Sequence, residues 1–143
     1  MLFKILLNPI LAEIDKPALA NANLINTLSI FYSMESSNVK IVVFVPLSHC
    51  DIVREAIGDA DGGIIGNYSH CSFSSKGTGR FRPDENANPH IGQANKLEEV
   101  EEERIEFVCP KKIAKRIIEA IKKVHPYEEI ALDIYPLIDT DKL

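Results

Sequence analysis

Five consecutive residues, His125-Pro126-Tyr127-Glu128-Glu129, bring an imidazole, a phenol and two carboxylates together. Imidazole nitrogen and carboxylate oxygen form a common ligand set for zinc and similar divalent ions. The string therefore makes His125, Glu128 and Glu129 candidate metal ligands, with His49 of Val45-Pro46-Leu47-Ser48-His49 as a fourth. The competing reading is architectural: Pro126 shapes a turn, Tyr127 closes the core and the carboxylates pair with lysines. A second candidate is Gly77-Thr78-Gly79-Arg80-Phe81-Arg82-Pro83. Backbone amides near Gly77 and Gly79, with the guanidinium groups of Arg80 and Arg82, suit the cradling of a small anion. The stretch is neither a Walker A loop nor a dinucleotide fingerprint, because no helix is signalled after it. Its plainer alternative is a hairpin or bulge that holds Phe81 in the core. Cys71 follows His70, but neighbours on one strand point to opposite faces. A nucleophilic pair would need a histidine from elsewhere, and no catalytic residue is assigned.

The elements that must position these groups follow from periodicity. Val39–Val45 is β-branched and aromatic, ends at Pro46, and reads as a strand. Ser48 and Asp51 have the form of a capping box, opening a helix with Ile52, Val53, Ala56, Ile57 and Ala60 at helical spacing; Gly62-Gly63 stops it. Tyr68 to Ser74 reads as a second strand. Ser75 to Asn95 lacks periodicity, and an irregular stretch of that length inside a compact domain points to function. Leu97 to Val108 reads as a third strand, with Ile105, Phe107 and Cys109 on one face and a run of glutamates suggesting a solvated or subunit-facing edge. Lys111 to Val124 is an amphipathic helix, burying Ile113, Ile117, Ala120, Ile121 and Val124. Ile130 to Tyr135 makes the last strand. The order βαββαβ gives an α+β, ferredoxin-like sandwich: an antiparallel sheet with two helices on one face. His49 and His125 then stand at the junctions after the first strand and before the last, which are expected at opposite ends of that antiparallel pair.

The first strand is apolar on both faces: Ile41, Val43 and Val45 point one way, Val42 and Phe44 the other. Helices cover only one face in this arrangement, so the second needs other cover. Other subunits or residues 1–33 would supply it. Residues 1–33 read as an extension or an upstream start ahead of Met34, with the domain running 34–143. Asn8, Pro9 and the charges Glu13, Asp15 and Lys16 argue against a signal peptide. A net charge of −5 and a pI near 5.4 argue against a nucleic-acid binder, and no apolar run is long enough for a membrane span. Three widely spaced cysteines (Cys50, Cys71, Cys109) suit a reducing, cytoplasmic setting.

From about Val39 to Leu137, the strings quoted above, with Gly66-Asn67-Tyr68-Ser69-His70-Cys71-Ser72-Phe73, resemble the PII/CutA-like domain inserted in Nif-three-like proteins and also found alone. Two departures, Asn86 and Asn95 where the family usually has glycine, fall in turns that asparagine tolerates. PII-like and CutA-like proteins are trimers whose sheets face inward, so the resemblance implies a homo-oligomer, here a trimer. It also implies a small binding or regulatory module for a divalent metal ion or a small anionic ligand. Full-length Nif-three-like proteins, some named GTP cyclohydrolase I type 2-like, hold a dinuclear metal centre on a larger domain that the resemblance does not cover. A separately encoded partner domain is therefore a candidate partner. The alternative function is a metal-dependent, hydrolase-like enzyme using His49, His125 and Glu128 or Glu129.

Overall fold

The computed structural model describes residues 29–30 and 35–143. The readings of 1–33 thus lie outside the described residues, apart from 29–30. Ser36–Leu137 forms one compact unit, and Ile138–Leu143 falls to another. In that closing segment Thr140–Lys142 makes a 3-10 turn, with the Asp139 side chain accepting from the Asp141 amide.

Strand β1 spans Glu35–Pro46. A 3-10 turn, Leu47–His49, leads into helix α1, Cys50–Asp59. Strands β2 (Phe73–Phe81) and β3 (Glu98–Pro110) follow. A second 3-10 turn, Lys111–Ile113, opens helix α2, Ala114–Val124, and β4 runs Leu132–Ile138. The sheet order is β2-β3-β1-β4. β1 pairs antiparallel with β3 from Asn38↔Pro110 to Pro46↔Glu102, and β2 pairs antiparallel with β3 from Phe73↔Glu106 to Phe81↔Glu98. This is the antiparallel ferredoxin-like sandwich that the element order implied.

The core lies between sheet and helices. Val39, Ile41, Val43 and Val45 of β1 meet Ile105, Phe107 and Cys109 of β3, Val53 and Ile57 of α1, and Ile117 and Ile121 of α2. Period two on the strands and three-to-four on the helices give each element one buried face. The opposite face of the sheet is set by the same registers. Val42 and Phe44 share it with Glu102, Arg104 and Glu106, and with Phe73, Gly77, Gly79 and Phe81 of β2. Val42 has no exposed surface, while Lys40 and Arg104 both pair with Glu106 beside it.

Four local expectations need correction. The second strand begins at Phe73, not Tyr68, and runs through the glycine-rich stretch to Phe81; Tyr68 closes a tight turn with Ile65 instead. The irregular stretch accordingly shortens to 82–97. The glutamate-rich β3 is an interior strand, not an edge. Its Glu103 and Glu99 bind Arg54 and Arg80. No capping box forms: Ser48 Oγ bonds His49 Nδ1 at 2.8 Å, and Ile52 is exposed.

The stop of α1 is built as the glycine pair suggested. The Gly62 amide bonds Ile57 O and the Asp61 amide bonds Gly58 O, with Asp61 at φ +62°, which is a Schellman ending. Gly63 then bonds Val108 O and accepts from the Cys71 amide, tying the segment after α1 to β3.

Candidate functional site

Antiparallel pairing of β1 with β4 places the end of one strand beside the start of the other. His49 and His125 therefore lie at the same end of the sheet, contrary to the expectation that their junctions are separated. The Phe44 amide bonds Ala131 O across this junction. A chain of rings runs along it: His49 meets His90 edge-on with centroids 5.6 Å apart, His90 lies 6.5 Å from Tyr127, and Tyr127 lies 5.1 Å from His125.

His125 is buried and fully occupied. Its Nε2–H donates to Phe44 O at 2.9 Å, and its Nδ1 accepts from the Tyr127 amide at 3.1 Å. These two partners require the neutral Nε2–H tautomer. Burial holds its pKa below the ordinary imidazole range; the Phe44 carbonyl opposes that shift and the nearby His49 reinforces it. The architectural reading of this histidine therefore fits its geometry, with no lone pair left for a cation. Of the other metal candidates, His49 Nδ1 faces Ser48, while Glu128 accepts from the Asn88 amide at 2.8 Å. Glu129 lines a cavity with Glu128. Among the described residues, no three His, Cys, Asp or Glu side chains gather with the spacing that a metal ion needs.

That cavity, of about 810 Å³, opens on the side of the sheet away from the helices. Phe44, Gly79 and Glu102 contribute from the strands, Arg82 and His90 from the segment 82–97, and Tyr127 from the turn before β4. The glycine-rich candidates divide. Gly77 faces open space in β2, and Gly79 lies against a carboxylate rather than offering its amide to an anion. Arg80 pairs with Glu99. Arg82 lines the cavity and has no ion-pair partner among the described residues. Asp84 folds the loop locally, its side chain accepting from the Asn86 and Ala87 amides. Asn95 adopts φ +64°, the conformation expected of an asparagine that replaces a turn glycine.

The residue that sequence reasoning passed over is Glu102. It is 8% exposed and accepts from the Tyr127 hydroxyl at 2.9 Å. Burial, and then Glu102 itself, push the Tyr127 phenol above its ordinary range, so it stays a donor. The carboxylate occupies space left by Gly79: a Cβ there would sit 2.3 Å from Glu102 Oε2. The available signal was the pair of glycines at alternate positions of one strand, which clears one face for a neighbour. Cys71 and His70 form no pair. Cys71 precedes β2 and His70, at φ +58°, packs its ring against Gly58.

No family model matches the chain. A Halalkalibacterium halodurans protein named GTP cyclohydrolase 1 type 2 homolog is 54% identical over 98 residues, which are 68% of this chain and 26% of that protein. The solved structure of a Bacillus cereus protein related to NIF3 superposes with a TM-score of 0.63 at 49% identity, covering 74% of this chain and 26% of the other. CutA1 from Shewanella sp. SIB1 gives a TM-score of 0.56 at 15% identity, covering 73% of this chain and 85% of its own, and this likeness concerns the fold alone. The chain spans about a quarter of the length of the curated relatives it matches. From about Val39 to Leu137 it is therefore homologous to a segment of the NIF3-related proteins, and that segment has the PII/CutA-like, ferredoxin-like fold.

Proposed function

We propose that the chain is a PII/CutA-like binding module that assembles as a trimer through the helix-free face of its sheet and takes a small ligand with an anionic group. The observation that carries this reading is the 810 Å³ cavity on that face, where Arg82 has no ion-pair partner among the described residues. Phe73 and Tyr135, on the edge strands, leave 66% and 46% of their surface exposed. Tyr135 reaches Arg104 and so shares this face, and exposed aromatics there suit contact with a second copy. The free thiols Cys50, Cys71 and Cys109 suit a cytoplasmic setting. Among the described residues no helix is long and apolar enough to cross a membrane.

A divalent ion is the less favoured ligand, since His125 has both ring nitrogens engaged. The relatives' name mentions GTP, but the chain covers only about a quarter of them, so the activity in that name is not carried over.

Light scattering of the full chain is expected to give three times its 16.0 kDa mass; a clean protomer mass at micromolar concentration would sink the trimer. Inorganic pyrophosphate, titrated by calorimetry, should bind the native chain and bind Arg82→Ala at least about tenfold more weakly, the loss expected of one charge-assisted contact. Equal affinity in both would reject the anion reading.

A further inference from the structure

Resting on that reading of the cavity, we infer that Glu102 is a specificity-determining acceptor there, and that the ligand presents to it a planar pair of N–H donors.

Four observations point the same way. Glu102 lines the cavity although it is 8% exposed, so its carboxylate is withdrawn from bulk water at the wall of an open space. Its two oxygens differ. Oε1 is held by the Tyr127 hydroxyl at 2.9 Å, whereas Oε2 has no hydrogen-bond partner among the described residues. Among the described residues no fully enclosed side-chain polar atom lacks a partner, so Oε2 is one that an incoming group reaches. Oε2 also lies directly over Gly79, where the absence of a side chain leaves room for the carboxylate.

The surroundings restrict what arrives. Phe81 and Tyr127 stand 6.2 Å apart beside the carboxylate and give the wall an aromatic surface that suits a flat group. Carboxylates accept two parallel N–H bonds from planar donors better than from a point charge such as an ammonium. Nearby cations do not satisfy Glu102 already: Arg80 is paired with Glu99, and Arg104 with Glu106. Arg82 then lies in the same cavity to meet an anionic group elsewhere on the ligand. The ligand class is a small molecule with an N–C–N donor edge at one end and an anion at the other. A guanine nucleotide and an amino acid with a guanidinium group share this chemistry.

The test separates the two sources. The full chain is titrated by calorimetry with 5′-guanosine monophosphate and with L-arginine. Each is compared with an analogue without the planar pair: inosine monophosphate, which lacks the exocyclic amino group, and L-lysine, which offers an ammonium in place of the guanidinium. At least one donor-bearing probe is expected to bind, with its analogue about tenfold or more weaker. Glu102→Gln should weaken the preferred probe by a similar factor and erase its advantage. If that variant melts early, Glu102→Asp retains the charge but withdraws it by one methylene, and the same loss is expected. Binding of neither probe, or a Glu102→Gln affinity within twofold of wild type, overturns the inference. Binding lost in Arg82→Ala but kept in Glu102→Gln leaves the anion reading standing and removes this one. The reverse pattern keeps Glu102 and removes the anion contact.

Discussion

Replacing His125 with phenylalanine is expected to lower the unfolding free energy by roughly 2–4 kcal/mol at neutral pH, because two buried backbone groups lose their partners. The Phe44 carbonyl accepts from Nε2–H and the Tyr127 amide donates to Nδ1. A phenyl ring fills similar volume but satisfies neither. The loss should depend on pH in a defined sense. Burial places the folded-state pKa of His125 below its unfolded value near 6.5. The folded protein therefore favours the neutral ring, and the stability this contributes is present above about pH 6.5 and is lost as pH falls through the folded pKa. Wild type should lose stability on acidification below 6.5, and the variant should lack that part of the slope. Urea unfolding of both chains at matched protomer concentration, at pH 7.5 and pH 5.5, measures the effect. Equal midpoints at pH 7.5 would show that these hydrogen bonds carry no weight. A wild-type stability that collapses on adding a chelator would restore the metal reading of this histidine.

Gly63→Ala is expected to cost more than about 3 kcal/mol, combining left-handed backbone strain with the loss of two backbone hydrogen bonds. Gly63 has φ +69°, and a Cβ there would sit 2.1 Å from the Cys71 carbonyl oxygen, an atom that moves only with the backbone. The same residue bonds Val108 O and the Cys71 amide, so displacement opens the junction between α1, β3 and the approach to β2. Gly66→Ala provides the matched control. Gly66 also has positive φ, at +56°, but a Cβ there would meet nothing within 4 Å. Its cost should stay near the strain alone, about 1–2 kcal/mol. Thermal unfolding of the two variants at equal concentration compares them. Equal losses would show that the contact with Cys71 is relieved without consequence.

Much of the scaffold was legible because it rests on local pattern. The apolar run Val39–Val45 with Pro46 marked β1, the stripe of Ile117 and Ile121 marked α2, and Ile105, Phe107 and Cys109 marked the inner face of β3. What escaped depended on partners distant in sequence. Gly77 and Gly79 looked like a loop because glycine is disfavoured in strands; only pairing with β3, and the Glu102 carboxylate over Gly79, explains them there. Glu102 was hidden among glutamates of identical type, since burial depends on strand order and not on composition. His125 was recognisable as unusual, but its role turned on Phe44, far away in the chain. A histidine beside two carboxylates looks the same in sequence whether its nitrogens are free or engaged.

The sheet order also has a kinetic consequence. β1 lies between β3 and β4, so Val39 finds its partner at Cys109, and the centre of the sheet is assembled from residues remote in the chain. The local hairpin of β2 and β3 closes over the segment 82–97 at small entropic cost, since lengthening a loop adds little once it is flexible. The central β1–β3 ladder joins residues separated by α1 and that hairpin, so its closure carries the larger entropic cost. Folding should therefore be slow for a chain of this size, as in domains dominated by long-range pairing. Until β1 arrives, its apolar residues and the inner edge of β3 remain open to other chains. For a protein whose exposed aromatics already suit self-association, the order of these events decides whether copies meet as finished sandwiches or as half-built sheets.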